Sequence, residues 1–203
     1  MIDLYLAATS NGRRASIALE ECGLAYRPIK VELGGGKKPA GLLKINPLGD
    51  IPALLDPDGP GGKPLALSQS SAILLYAAEK SGRFLPKDGA ARARVYQWLA
   101  HAITDIGPTS TVVFYLSESV PEKIASNIKF FEDRLVNFLR HLDQRLGEVK
   151  YLAGELSVAD LALYPSFLIR RPIAEANKLA HLLRWADEMA ARPGVARGVK
   201  AAD

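Results

Sequence analysis

The chain has 203 residues, enough for one large or two small domains. Hydrophobic residues make up 48% and charged residues 24%, and no apolar run approaches the ~18 residues a membrane span needs. The formal charge of +4 suits small anions, but no run of Lys and Arg interleaved with aromatics marks a nucleic-acid surface; Arg13-Arg14 and Lys37-Lys38 are only pairs. No basic segment precedes an apolar one at the N-terminus, so no signal peptide is expected. The single cysteine, Cys22, has no internal disulfide partner, and a reducing cytosol is the expected compartment.

In chain order, residues 2–6 read as a short strand and residues 7–12 as a loop with Thr9, Ser10 and Asn11 as candidate helix caps. Ala15, Ala18, Leu19 and Cys22 then fall at helical spacing, and Gly23 ends that helix. Residues 26–33 read as a second strand, with Pro28 pointing to a sheet edge. A Gly34-Gly35-Gly36 loop carries Lys37 and Lys38, and a weak helix is expected over 40–45. Strands at 53–55 and 64–67 flank a Gly/Pro turn, and a helix follows from Ser70 to Ser81, closed by Gly82. The order β-α-β-α-β-β-α implies a mixed sheet with helices on its faces.

Beyond Gly82 the period is helical throughout. Residues 83–89 read as a linker, and 90–106 as one helix bent or ended near Gly107-Pro108. Ser119-x-x-Glu122, with Pro121 between, has the form of a capping box. The helix it is expected to open places Ile124, Ile128, Phe131, Leu135, Phe138, Leu142 and Leu146 on one stripe. Ser157-x-x-Asp160 predicts a second capping box, opening an apolar helix over 161–169 with a bend at Pro165. A last helix, about 182–191, is expected to stop at Pro193-Gly194.

The stretch from Asn46 to Ile73 holds the chemistry. Pro52 stands directly before a strand; an X-Pro bond there can be cis, since the tertiary amide reduces the trans preference to about 0.5–1 kcal/mol, and a cis turn leaves the backbone of Ile51 outside the ladder. A backbone edge of that kind pairs with extended, peptide-like ligands. Ser70 at a helix start offers N–H groups and a positive dipole end to a carboxylate. Together these features suggest a receptor for a small anionic peptide.

Four fragments carry a resemblance to a known family: NPLGDIPAL, LSQSSAI, YLAGELSVADLAL and ARPGVARGV, in that order. They resemble, respectively, the cis-proline turn, the γ-glutamyl-binding motif, the capping-box signature and the C-terminal ending of the glutathione S-transferase superfamily. The N-terminal LYLAATSNGRRASIALEECGLAY is similar to the bacterial Nu-class branch and its fungal prion-like relatives. The resemblance implies an α/β thioredoxin-like domain over 1–82, the linker, and an all-α domain over 90–203 that forms a cleft for a second substrate. It also implies a cytoplasmic homodimer that binds glutathione as co-substrate, with no metal, nucleic acid or membrane, and uses its thiolate on an electrophile or a small disulfide. A non-catalytic binding protein on the same scaffold is the alternative.

By the same resemblance, Thr9 and Asn11, with Ser10 as rival, face the glutathione sulfur. Ser70 holds the α-carboxylate, Gln69 accepts from the ammonium, and Ile51 before Pro52 pairs with the cysteinyl backbone; Lys37 or Lys38, in a loop where the family branch tends to have a glutamine, is a candidate for the glycine carboxylate. Each also fits a plainer role as a helix cap, a turn or a solvated loop residue. Gln69 stands where many relatives carry glutamate, and Asp105 is a candidate to supply the missing acid. Tyr5 falls on a strand and is expected to pack in the core, as is Cys22. No Cys-x-x-Cys is present, so disulfide chemistry has to use the ligand's sulfur. His101, His141 and His181 lack metal-ligand spacing.

Overall fold

Ile2–Leu6 form strand β1 in the computed structural model, which describes residues 1–203. Leu4 and Leu6 are fully buried, so β1 lies inside the sheet rather than at its edge. The sheet order is β2-β1-β3-β4, with β2 at Tyr26–Lys30, β3 at Ala53–Asp56 and β4 at Leu65–Ser68. β2 runs parallel to β1 and is one of the two edge strands, where Pro28, which has no N–H to donate, is tolerated. β3 is antiparallel to both β1 and β4. Helix α1, Ser10–Cys22, makes the crossover between the parallel strands; α2, Ala40–Ile45, and α3, Ser70–Ser81, complete the expected β-α-β-α-β-β-α order. α1 stops where Gly23 takes a left-handed conformation with φ 68°.

The chain divides into two units, residues 1–85 with 190–203, and residues 86–189. Most of the second unit is helical: α4 Gly89–Ala100, α5 Gly107–Phe114, α6 Ala125–Glu148, α7 Val158–Leu168, α8 Arg171–Ala176 and α9 Ala180–Ala190. The last helix, α10, Pro193–Ala202, belongs to the first unit.

Three expectations for the helical half need correction. Gly107-Pro108 does not end its helix. A π-helical turn over His101–Ile106 runs into α5, with the Gly107 N–H bonded to the Ala102 carbonyl, five residues back. The extra residue in that turn accommodates a proline that has no N–H and that crowds the preceding turn. Ser119-x-x-Glu122 caps nothing: Ser119 closes a second π-helical turn, and α6 starts at Ala125 behind Ile124, without a side-chain cap. Only the later part of the predicted stripe is core, with Leu135, Leu142 and Leu146 buried beside Leu139, whereas Ile124 is exposed. Finally, α9 ends at Ala190, close to the expected stop, but it is not the last helix: Pro193-Gly194 opens another, because Pro at the first helical position has the right φ and lacks only an N–H with no intrahelical partner.

α10 therefore leaves the helical domain expected over 90–203 and packs on α1. A Cβ at Gly198 would lie 2.5 Å from the Ile17 Cα, so glycine alone allows this approach. Ser16 Oγ donates to the Gly198 carbonyl at 2.6 Å, and Arg192 and Arg197 pair with Glu21 and Glu20 of α1.

At the head of α7 the second capping box is complete. Ser157 Oγ accepts from the Ala159 N–H, and Asp160 accepts from the Ser157 N–H at 3.0 Å. Asp160 also takes the Leu152 N–H and Trp185 Nε1–H, both at 3.0 Å. Burial pushes its carboxyl up to about 6, against the pull of these bonds.

Candidate functional site

Thr9 is the N-cap of α1: its backbone is extended and its Oγ1 accepts from the Gly12 N–H at 3.0 Å. The chain turns into the helix at once because residue 12 is glycine; a Cβ there would lie 2.1 Å from the Ala7 carbonyl oxygen. Ser10 is the first helical residue, half-buried, and Asn11, the second, is exposed. The positive end of α1 and the Thr9 hydroxyl proton thus share one small region with the Asn11 amide.

Helix α3 starts from the end of β4. Gln69, its N-cap, is exposed and has φ 73°, a left-handed conformation that costs a non-glycine residue about 1–3 kcal/mol. No side chain caps α3, so the N–H groups of its first turn have no intrahelical partner. Ser70, the first helical residue, is 6% exposed.

Between these two helix starts lies Arg14, a residue given no role from its sequence position. It is on α1, 4% exposed, and its Nη1 donates to Asn11 Oδ1 at 2.6 Å and to Ser70 Oγ at 2.7 Å. Ser70 Oγ in turn lies 3.3 Å from Asn11 Oδ1. The structure therefore brings Asn11 and Ser70, 59 residues apart in sequence, into one hydrogen-bonded group. Burial lowers the Arg14 pKa to about 10, which leaves the guanidinium charged at neutral pH. The available signal was periodic: Arg14 is in helical register with Ala18 and Cys22, on the buried face of α1.

The Ile51–Pro52 peptide is cis. Pro52 is buried, Ile51 is half-buried, and the paired ladder begins only at Ala53, opposite Ser68. Asn46, another residue without a prior assignment, holds the preceding turn: its side-chain amide donates to the Asp50 carbonyl at 2.8 Å. Lys38 is exposed and reaches this same turn, donating to the Leu48 carbonyl at 3.1 Å with Asp50 at 3.7 Å. Lys38 is thus engaged with the turn that leads into Ile51.

The remaining candidates have other partners or surroundings. Tyr5 packs with Val31, Leu42 and Ala53. Cys22 is buried, and burial pushes its thiol pKa up, against the reactivity a redox cysteine needs. Asp105 pairs with His101 at 2.7 Å in the helical unit. No group of three His, Cys, Asp or Glu side chains is arranged to hold a metal ion.

A four-stranded mixed sheet with a cis-proline ahead of β3, followed by a helical unit, defines a thioredoxin-like domain joined to a helical one. The sequence matches the family models for the glutathione S-transferase N-terminal domain over residues 9–80 and C-terminal domain over residues 105–199. It is 40% identical over 168 residues to the disulfide-bond oxidoreductase YfcG of Escherichia coli K12, covering 81% of this chain and 78% of that protein. Among solved structures it is similar to a glutathione transferase family member from Pseudomonas fluorescens with two glutathiones bound, at TM-score 0.90 and 33% identity over 98% of this chain and 92% of that one. It is also similar to a glutathione transferase from Pseudomonas putida with one glutathione disulfide per subunit, at TM-score 0.85 and 34% identity over 98% and 90%. The chain belongs to the glutathione S-transferase family.

Proposed function

We propose that this protein holds glutathione as its thiolate at the heads of α1 and α3 and uses it to reduce small disulfides. The family fixes the class, a glutathione transferase or glutathione-dependent disulfide reductase. The observation that carries the residue-level reading is the junction of Asn11 and Ser70 at two adjacent helix starts. Ser70 and the uncapped N–H groups of α3 receive the γ-glutamyl α-carboxylate, and the Gln69 amide oxygen accepts from the neighbouring ammonium. The backbone of Ile51 pairs with the cysteinyl residue, and Lys38 lies toward the glycine carboxylate.

The sulfur then falls to Asn11 and Thr9, with Ser10 beside them. A free cysteine thiol has a pKa of about 8.5, and only the thiolate attacks. Bringing it to pH 7 takes about 2 kcal/mol of preference for the anion. One hydrogen bond to a charged group supplies about 1.5–3 kcal/mol, so the Asn11 amide and Thr9 hydroxyl suffice without a protein base. The thiolate attacks one sulfur of the substrate disulfide, forming a mixed disulfide and releasing a thiolate that takes up a proton. A second glutathione thiolate attacks the mixed disulfide at the glutathione sulfur, giving glutathione disulfide and the second substrate thiol. The relatives crystallised with two glutathiones or with glutathione disulfide support this choice over conjugation.

The same reading assigns glutathione to the first unit and recognition of the second substrate to the helical one. It includes a cytoplasmic homodimer and, as a lesser activity, attack on electrophiles. The test is a parallel assay with glutathione against 2-hydroxyethyl disulfide and a chloro-dinitrobenzene acceptor. Turnover should be clearly faster with the disulfide. Binding of glutathione with no turnover of either substrate would leave only a binding protein on this scaffold.

A further inference from the structure

Asn11 and Ser70 stand at the two ends of the proposed ligand, and one buried side chain touches both. Arg14 carries only donors, so the Asn11 atom 2.6 Å from its Nη1 has to be the amide oxygen. That fixes the amide: Oδ1 faces Arg14 and Ser70, and Nδ2 with its two hydrogens is the end left for a ligand. Arg14 Nη1 also donates to Ser70 Oγ at 2.7 Å, so the hydroxyl's own proton points elsewhere, toward Asn11 Oδ1 at 3.3 Å or toward a bound carboxylate. Arg14 is 4% exposed and Ser70 6%, so water does not readily replace either bond.

We infer that Arg14 is a positioning residue that couples the sulfur end of the glutathione site to its carboxylate end. It holds the Asn11 amide with its donors toward the thiolate, and it frees the Ser70 hydroxyl to donate to the γ-glutamyl carboxylate. When a carboxylate draws the Ser70 proton away from Asn11, the amide oxygen rests on Arg14 alone. Occupancy of one end is therefore felt at the other. This inference rests on the proposed placement of glutathione.

Two readouts separate the ends. The thiolate absorbance of bound glutathione against pH reports the sulfur end, and the Kd of S-methylglutathione, which has no thiol, reports the carboxylate end. Asn11→Ala should raise the bound thiol pKa by about one unit and change the S-methylglutathione Kd little. Ser70→Ala should weaken S-methylglutathione ~10-fold and shift the thiol pKa by less than Asn11→Ala does. Arg14→Gln should move both readouts, and Arg14→Lys should recover part of each. A change in Tm with neither readout altered, or with only one altered, overturns the inference. Should Arg14→Gln not fold, a cycle of Asn11→Ala and Ser70→Ala on glutathione Kd decides. Coupled ends give effects that depart from additivity by threefold or more, and additive effects refute the link. If the wild type binds neither glutathione nor S-methylglutathione, the functional reading falls as well. If the wild type binds both and Arg14→Gln behaves like it, only this inference falls.

Discussion

Two parts of the molecule use the same small polar residues at helix starts. At α7, Ser157 and Asp160 are 2% and 0% exposed, and the Asp160 carboxylate takes four donors from three residues. At α1 and α3, Thr9 satisfies one N–H of α1, Asn11 and Gln69 are exposed, and α3 has no side-chain cap. The first arrangement is closed: its polar atoms answer each other and leave nothing for a visitor. The second is open, and it holds an unrelaxed backbone at Gln69 and a buried guanidinium at Arg14. Filling every cap stabilises a helix, whereas an uncapped helix start such as that of α3 keeps its N–H groups available to an anion.

The largest test of this contrast is at the closed end. Asp160→Ala leaves the buried Leu152 and Ser157 N–H groups and the Trp185 Nε1–H without an acceptor, which should cost about 3 kcal/mol or more, seen as a Tm drop of roughly 10 °C. Glutathione Kd of the fraction that folds should not change. The pH dependence has a definite sign. Burial raises the Asp160 pKa from 3.8 to about 6, so the folded chain holds that proton more tightly than the unfolded one. The stabilisation is complete below about pH 4 and is lost as pH rises through about 6. Denaturant midpoints measured between pH 7 and 4 should diverge between wild type and Asp160→Asn as the pH falls.

At the open end the effects move from stability to binding. Ser70→Ala should weaken glutathione roughly tenfold and lower Tm by only a few degrees. Gln69→Gly releases the left-handed backbone and should stabilise the chain by about 1 kcal/mol while weakening glutathione binding, a trade that calorimetry and a Kd titration expose together. Smallest of all, Cys22→Ala should leave disulfide turnover within about twofold, since a buried thiol with a raised pKa is a poor nucleophile. A larger loss would give that cysteine a part in the reaction.

Local signals explain what the sequence made legible. The β-α-β-α-β-β-α order, Gly23 and Gly82 as helix ends, and the Ser157/Asp160 box all depend on residues within a turn of one another, so spacing reveals them. The same local rule misled at Ser119-x-x-Glu122, whose spacing suits a cap but whose segment bends before α6 begins. It was incomplete at Pro193-Gly194, where the preceding helix does end, at Ala190, but the same dipeptide opens another. Gly198, four residues beyond Gly194, gives that helix a face smooth enough to meet α1. Arg14 was missed for a different reason: its partner Ser70 lies 56 residues away, and neighbouring spacing carries no record of that contact. Thr9, Asn11, Gln69 and Ser70 were recognisable as residue types suited to a helix start. That Asn11 and Ser70 form one group, hinged on a buried arginine, is a property of the fold.

The claim on which the rest depends is that the Asn11 amide keeps a bound glutathione sulfur ionised near neutral pH. Difference absorbance of the thiolate, recorded as glutathione is added at pH 7 to wild type and to Asn11→Ala, measures this directly. A clear thiolate signal in the wild type that falls severalfold in the variant, with glutathione still bound, is the expected result. Equal signals in the two proteins, or none in a wild type saturated with glutathione, would contradict it.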